Sequence, residues 1–234
     1  MKPKQILLAL PLLCLAVAAN CQRTTYNVGL NSGIFRYTGD NAFEVSAINV
    51  YPELRTQFGG TPGKKTAFSY EITGNIQRIT KSRIIFGMEL AWQSLQTKTN
   101  INGLIPTMYS SYFMPTTGNT RLTNQFISLT PVAGYRLLDK KIKVDLTTGL
   151  ELAACISRKE KIDARNPDSD EHLSTTNDLP KNNDLRVRLQ LNTSMGRFGL
   201  TTGYAAGLTN FYKDEGFFMA RSSFIRLGLN YRLF

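Results

Sequence analysis

The sequence predicts an all-β fold: an eight-stranded antiparallel up-and-down transmembrane β-barrel with short periplasmic turns and long extracellular loops. Three observations predict it. Apolar and polar residues alternate with period two in eight segments, and the connections between them alternate short and long. After an export leader, no apolar run reaches the roughly 20 residues that a membrane-spanning helix needs.

The leader comes first. Lys2 and Lys4 form its basic region, Ile6 through Val17 its apolar run, and Ala16, Ala18 and Ala19 the small residues a signal peptidase accepts. Cleavage is expected between Ala18 and Gln22, so that 1–22 is a signal peptide and 23–234 one barrel domain. Cys21 raises the alternative of a lipidated cysteine, although Asn20 stands where that motif has Gly or Ala. With Cys14 lost in the leader, at most Cys21 and Cys155 remain, and disulfides do not hold the fold together.

The clearest alternation is over 185–192, where Leu185, Val187, Leu189 and Leu191 oppose Arg186, Arg188, Gln190 and Asn192. Segment 225–233 repeats it, as do 142–156 and 84–92, the last with Ile84, Phe86, Met88, Leu90 and Trp92 on one face. Weaker alternation over 26–35, 68–76, 127–137 and 198–208 brings the count to eight. The tight connections fall at 79–83, 138–141 and 194–197; the long ones at 38–67, 93–122, 157–184 and 209–221. An even strand count returns both chain ends to the turn side. The strand-like piece 45–58 reads as part of a loop, because Pro52 and the Gly-rich 59–65 interrupt it.

With the aliphatic faces toward lipid, the opposite faces put Glu71, Glu89, Asp145 and Glu151 in the lumen with Arg136, Lys143, Arg186, Arg188, Arg226 and Arg232. An eight-stranded barrel is just wide enough for its side chains to fill. Desolvated charges there must pair, so a plugged interior is expected rather than an open pore. Gly29, Gly33, Gly74, Gly87, Gly149, Gly199, Gly203 and Gly207 are assigned to the same inward face, making room for the arginines. Aromatic girdles are expected from Tyr26, Tyr135 and Tyr231 at the periplasmic boundary and from Phe68 and Trp92 at the outer one.

The formal net charge of +11 is not a nucleic-acid signal in an exported chain. It fits a solvated or lumenal excess, or attraction to anionic lipid phosphates. Chemistry is sparse. His172 is the only histidine and lies among loop charges, so no Ser-His-Asp arrangement is expected. Asp168, Asp170 and Glu171 lack the ligand spacing of a calcium loop, and the glycines of 59–65 lack that of a phosphate loop. The inward carboxylates face too many arginines to read as an acid–base pair. No enzyme activity, metal or cofactor is expected.

Four stretches resemble the PorT-like outer-membrane β-barrel proteins of Bacteroidetes: FISLTPVAGYR over 126–136, VDLTTG over 144–149, YAAGLTN over 204–210 and LGLNYR over 227–232. The resemblance implies an outer-membrane barrel, with one branch linked to protein secretion. Such barrels usually end Tyr-x-Phe, the signal read by the assembly machinery; here Tyr231, Leu233 and Phe234 take that place, with Phe234 as an overhang. The expected role is non-enzymatic: long loops present a surface for an envelope or surface partner, with outer-membrane lipids and lipopolysaccharide around the wall. The alternatives are a narrow channel or an accessory of a secretion or transport system, and a soluble ligand-holding barrel, which the charged inward face disfavours.

Overall fold

The computed structural model describes residues 21–51, 56–58, 62–105, 114–165, 172–211 and 219–234; the leader, apart from its last two residues, lies outside them. Among the described residues there are eleven strands: β1 (Cys21–Thr38), β2 (Val45–Tyr51), β3 (Thr56–Phe58), β4 (Lys65–Thr80), β5 (Ile84–Ile105), β6 (Met114–Asp139), β7 (Ile142–Arg165), β8 (His172–Asp178), β9 (Asp184–Met195), β10 (Phe198–Gly207) and β11 (Arg221–Arg232). Eight of them close a ring. Following the chain, β1, β4, β5, β6, β7, β9, β10 and β11 each pair antiparallel with the next, and β11 returns to β1 from Asn27↔Arg232 to Thr38↔Arg221. The fold is an eight-stranded up-and-down transmembrane β-barrel, and all eight expected segments lie on its wall.

The wall is apolar outside. Leu30, Phe68 and Leu229 are 62%, 67% and 69% exposed, and Ile72, Leu90, Leu189 and Leu227 share that surface. A soluble protein does not tolerate a continuous belt of this kind. On β5 the belt runs from Ile84 to Trp92, about 27 Å along a strand rising ~3.4 Å per residue. A tilt of ~40° brings it to ~21 Å, close to the apolar band of a membrane barrel.

Above the belt the pattern inverts. On β5 the outward residues become Gln96, Lys98, Asn100 and Asn102, while Leu95 and Ile101 turn inward and are buried. β6 inverts likewise, with Asn119, Arg121, Thr123 and Gln125 outside and Leu122 and Phe126 inside. On β7, Lys159, Lys161 and Asp163 face outward opposite buried Ile162 and Ala164. Much of the expected loops 93–122 and 157–184 is therefore strand. The alternation continues there with its polarity exchanged, because outside the bilayer water takes the outer face and the apolar side chains must cover one another.

The extension carries its own small sheet. β2 runs parallel to the end of β5, β3 pairs with β2, and β8 pairs with β7; Ile48, Ile101, Ile162 and Ala164 form a core backed by Leu104 and Leu173. Segment 45–58, expected as loop, thus supplies two strands outside the ring, and the count of eight stands. Gly74 is also corrected. It faces outward between Ile72 and Ile76, with open space where a Cβ would be.

The inversion yields a position-dependent prediction. Leu229→Arg, in the belt, should cost ~2–4 kcal/mol in urea titrations of vesicle-inserted protein. Gln96→Leu, on the wetted face above it, should change stability by less than ~0.5 kcal/mol. Comparable costs at both positions would overturn the placement of the boundary.

Candidate functional site

The most organised part of the described structure is the middle of the lumen. Strand alternation points Glu71, Glu89, Gln93, Glu151, Arg186, Arg188 and Arg226 inward, and all are buried. Arg226 Nη1 donates to both oxygens of Glu71, at 2.9 and 3.1 Å, and its Nη2 donates to Glu151 Oε2 at 3.0 Å. Arg186 Nη1 donates to Glu151 Oε1 at 2.5 Å, and its Nε to Asp184 Oδ2 at 2.7 Å. Arg188 Nη1 donates to Glu89 Oε1 at 2.6 Å and reaches Glu151 Oε2 at 3.4 Å.

Two neutral amides complete the cluster. Gln93 Nε2 donates to Glu71 and Glu151, at 2.9 and 3.1 Å, while its Oε1 accepts from Arg186 Nη1 at 2.9 Å. Asn31 Nδ2 donates to Glu71 Oε1 at 2.7 Å. The network joins β1, β4, β5, β7, β9 and β11 across the bore, linking strands that are not neighbours in the ring. The expected lumen set contains Glu71, Glu89, Glu151, Arg186, Arg188 and Arg226; it lacks Gln93 and Asn31, which are uncharged, and Asp184, which sits at the strand end.

The remaining expected residues lie nearer the turn end. Arg136 donates from Nε and Nη2 to the two oxygens of Asp145, at 2.7 and 2.9 Å, as a separate buried pair. Lys143 is half-buried at the mouth, and Arg232 Nη2 lies 3.5 Å from Ser194 Oγ. Beside this pair is a polar layer. Asn27 Nδ2 donates to Asn75 Oδ1 at 2.7 Å, Thr201 Oγ1 donates to Asn192 Oδ1 at 2.7 Å, and Asn230 Nδ2 donates to Thr201 Oγ1. The cavity here is about 40 Å³, room for one or two waters.

On the loop side the network is capped by apolar residues, with Phe35, Tyr37, Leu95, Leu122, Phe126 and Phe224 all buried. The Arg186 guanidinium lies 4.8 Å from the Phe126 ring centre, and that of Arg226 4.6 Å from Phe224. Arg158 stacks on Phe211 at 3.9 Å beside a space of about 20 Å³.

The C-terminal residues sit at the closing seam. Leu233 N–H donates to the Tyr26 carbonyl at 2.8 Å, Tyr231 packs on Phe198, and Phe234 is 80% exposed beside Tyr26. His172 Nε2 is 2.8 Å from Asp163 Oδ1 on an exposed strand pair. The acidic residues 168–171 lie outside the described residues. Among those described, no three His, Cys, Asp or Glu side chains converge as metal ligands.

Comparison with solved structures finds chains of low sequence identity. It is similar to Ail, the attachment invasion locus protein of Yersinia pestis, at 10% identity over 91% of this chain and 100% of that one, with a TM-score of 0.39. Neisserial surface protein A is similar at 11% identity over 90% and 99% of the two chains, with a TM-score of 0.41. The translocator domain of the autotransporter NalP from Neisseria meningitidis is similar at 10% identity over 98% and 96%, with a TM-score of 0.29. No family model matches the sequence, and no curated protein does.

Two substitutions probe the network. Glu151→Ala leaves three buried guanidinium groups short of a counter-charge and should destabilise the barrel by ~3–5 kcal/mol in urea unfolding. A Cβ on Gly228 would lie 1.6 Å from Asn31 Oδ1, so Gly228→Ala must expel Asn31 from Glu71, at ~1–3 kcal/mol. In an Asn31→Ala background that cost should fall without vanishing, because the Asn31 Cα lies 2.8 Å from the same position; an undiminished cost would show that Gly228 does not act through the Asn31 side chain.

Proposed function

We propose that this protein is a non-enzymatic outer-membrane barrel whose lumen is closed by its own charges and whose extramembrane sheet presents a surface to an envelope or surface partner. The observation that carries the reading is the inversion of the apolar face. A chain that only had to span a bilayer has no use for β5, β6 and β7 continuing beyond the belt, or for β2, β3 and β8 added to them with a separate core. That sheet is a rigid platform built from what usually forms loops, and rigid elements hold a binding surface at low entropic cost. The leader, the belt and the resemblance of four stretches to the PorT-like family support outer-membrane residence. Lipopolysaccharide would then border the upper belt, and the assembly machinery would meet the seam at Tyr231, Leu233 and Phe234.

Closure of the lumen is supported by the stacked layers of amides, ion pairs and aromatics, between which the cavities hold only water-sized volumes. The protein should fractionate with the outer membrane, migrate faster on SDS gels before boiling than after, and give no stepwise current in planar bilayers. Reproducible single-channel steps from the wild-type protein would replace this reading with the narrow-channel one. A soluble periplasmic protein with no heat-dependent shift would remove the membrane assignment altogether.

A further inference from the structure

The short-turn end carries a positive excess. Its three turns hold Lys81 and Arg83, Lys140 and Lys141, and Arg197 against one acid, Asp139. The stretches over the opposite end, 38–66, 93–125, 157–184 and 208–222, carry as many acids as bases. The excess is also concave in one place. The first two turns lie side by side, tied by a hydrogen bond from Arg136 N–H to the Arg83 carbonyl at 2.9 Å. Beside them, at the mouth of the lumen, an open cleft of about 360 Å³ is lined by Lys81, Arg83, Arg136 and Lys143, with Asp139 the single acid. Asp139 is itself engaged by Arg136 at 3.4 Å.

Two backbone features single out this cleft. Arg83 has φ of 66°, the only non-glycine residue in the left-handed region among those described. The turn is fixed around it: Arg83 N–H donates to the Thr80 carbonyl at 3.0 Å, and Ile84 N–H to Thr80 Oγ1 at 3.0 Å. Glycine fills such a position without steric cost, and the third turn does so with Gly196 at φ 62°. A strained arginine where glycine is favoured marks a site that uses the side chain. The second feature is the irregularity in the β6–β7 register between Arg136 and Leu138. It leaves Leu137 and Leu138 both exposed on the outer wall at the same rim, near exposed Ile84 and Ile142; bulges re-aim side chains in this way.

We propose that this cleft binds the headgroup of an anionic glycerophospholipid in the leaflet bordering the short turns. The phosphodiester is received by Lys81 and Arg83, and the upper acyl chain lies against Ile84, Leu137 and Leu138. A phosphate is an acceptor-only anion that matches ammonium and guanidinium donors. Basic groups set directly beneath an apolar surface favour the lipid over a soluble acidic partner. The inference rests on the membrane reading of the barrel.

The test uses the full-length folded protein in zwitterionic detergent, titrated calorimetrically with dioctanoyl phosphatidylglycerol, dioctanoyl phosphatidylcholine and inorganic phosphate. Phosphatidylglycerol should bind at least ten-fold more tightly than either of the others. Arg83→Gly keeps the turn conformation, so its unfolding midpoint should equal or exceed that of the parent while phosphatidylglycerol affinity falls five-fold or more. Lys81→Gln should lower affinity similarly; the pair Lys64→Gln and Lys65→Gln, at the other end, should not. Equal binding of the two lipids, phosphate as tight as phosphatidylglycerol, or an unchanged Arg83→Gly variant would overturn the proposal. Flotation with vesicles checks the membrane reading separately: a protein that floats without discriminating headgroups defeats the cleft alone, and one that does not float defeats both.

Discussion

Everything in this barrel depends on the burial of three guanidinium groups at its centre. Arg186, Arg188 and Arg226 are each at most 1% exposed, and charges so desolvated are tolerable only when surrounded by acceptors in good geometry. Glu71, Glu89, Glu151 and Asp184 supply the counter-charges, and Gln93 and Asn31 occupy positions that a further charge could not. Because the partners come from six strands, the requirement is met only when the ring is closed and every strand is in register. The outer belt by itself would accept several arrangements, since one aliphatic side chain replaces another against lipid. Specificity therefore resides in the lumen, while attachment to the membrane resides in the wall.

The interior is layered along the barrel axis. The turn end has amides and the Arg136–Asp145 pair, the middle has the ion network, and the loop end has aromatic and aliphatic residues. The aromatic layer shields the central charges from water entering from above, which strengthens their attraction by keeping the local dielectric low. Guanidinium planes lying over Phe126 and Phe224 make the join between the two layers, since the face of an aromatic ring attracts a cation.

The eight wall strands and six of the nine residues that meet in the network were legible in the sequence, because period-two alternation assigns each residue a face. What alternation could not tell was where lipid stops. Residues 93–105 and 114–125 are rich in Thr, Asn and Gln and read as loop when only an apolar outer face is sought; the inverted positions of Leu95, Ile101 and Leu122 were the available signal. Gln93 and Asn31 escaped because only charged residues were traced to the lumen. Gly74 was misassigned although Glu71, on the same strand, fixes its parity as outward.

The pairing of β11 with β1 has a consequence for how the ring reaches its final register. Sliding the last strand by one residue would aim Arg226 at lipid and put Leu227 among carboxylates, an error of many kilocalories that corrects itself. A slide by two residues preserves every inside and outside assignment and leaves the belt satisfied, yet it carries the Arg226 guanidinium ~7 Å along the axis, out of reach of Glu71 and Glu151. The ion network is thus a vernier for the seam. It distinguishes the correct shear from its nearest neighbour, a distinction that the hydrophobic wall, with its uniform side chains, has no means of making.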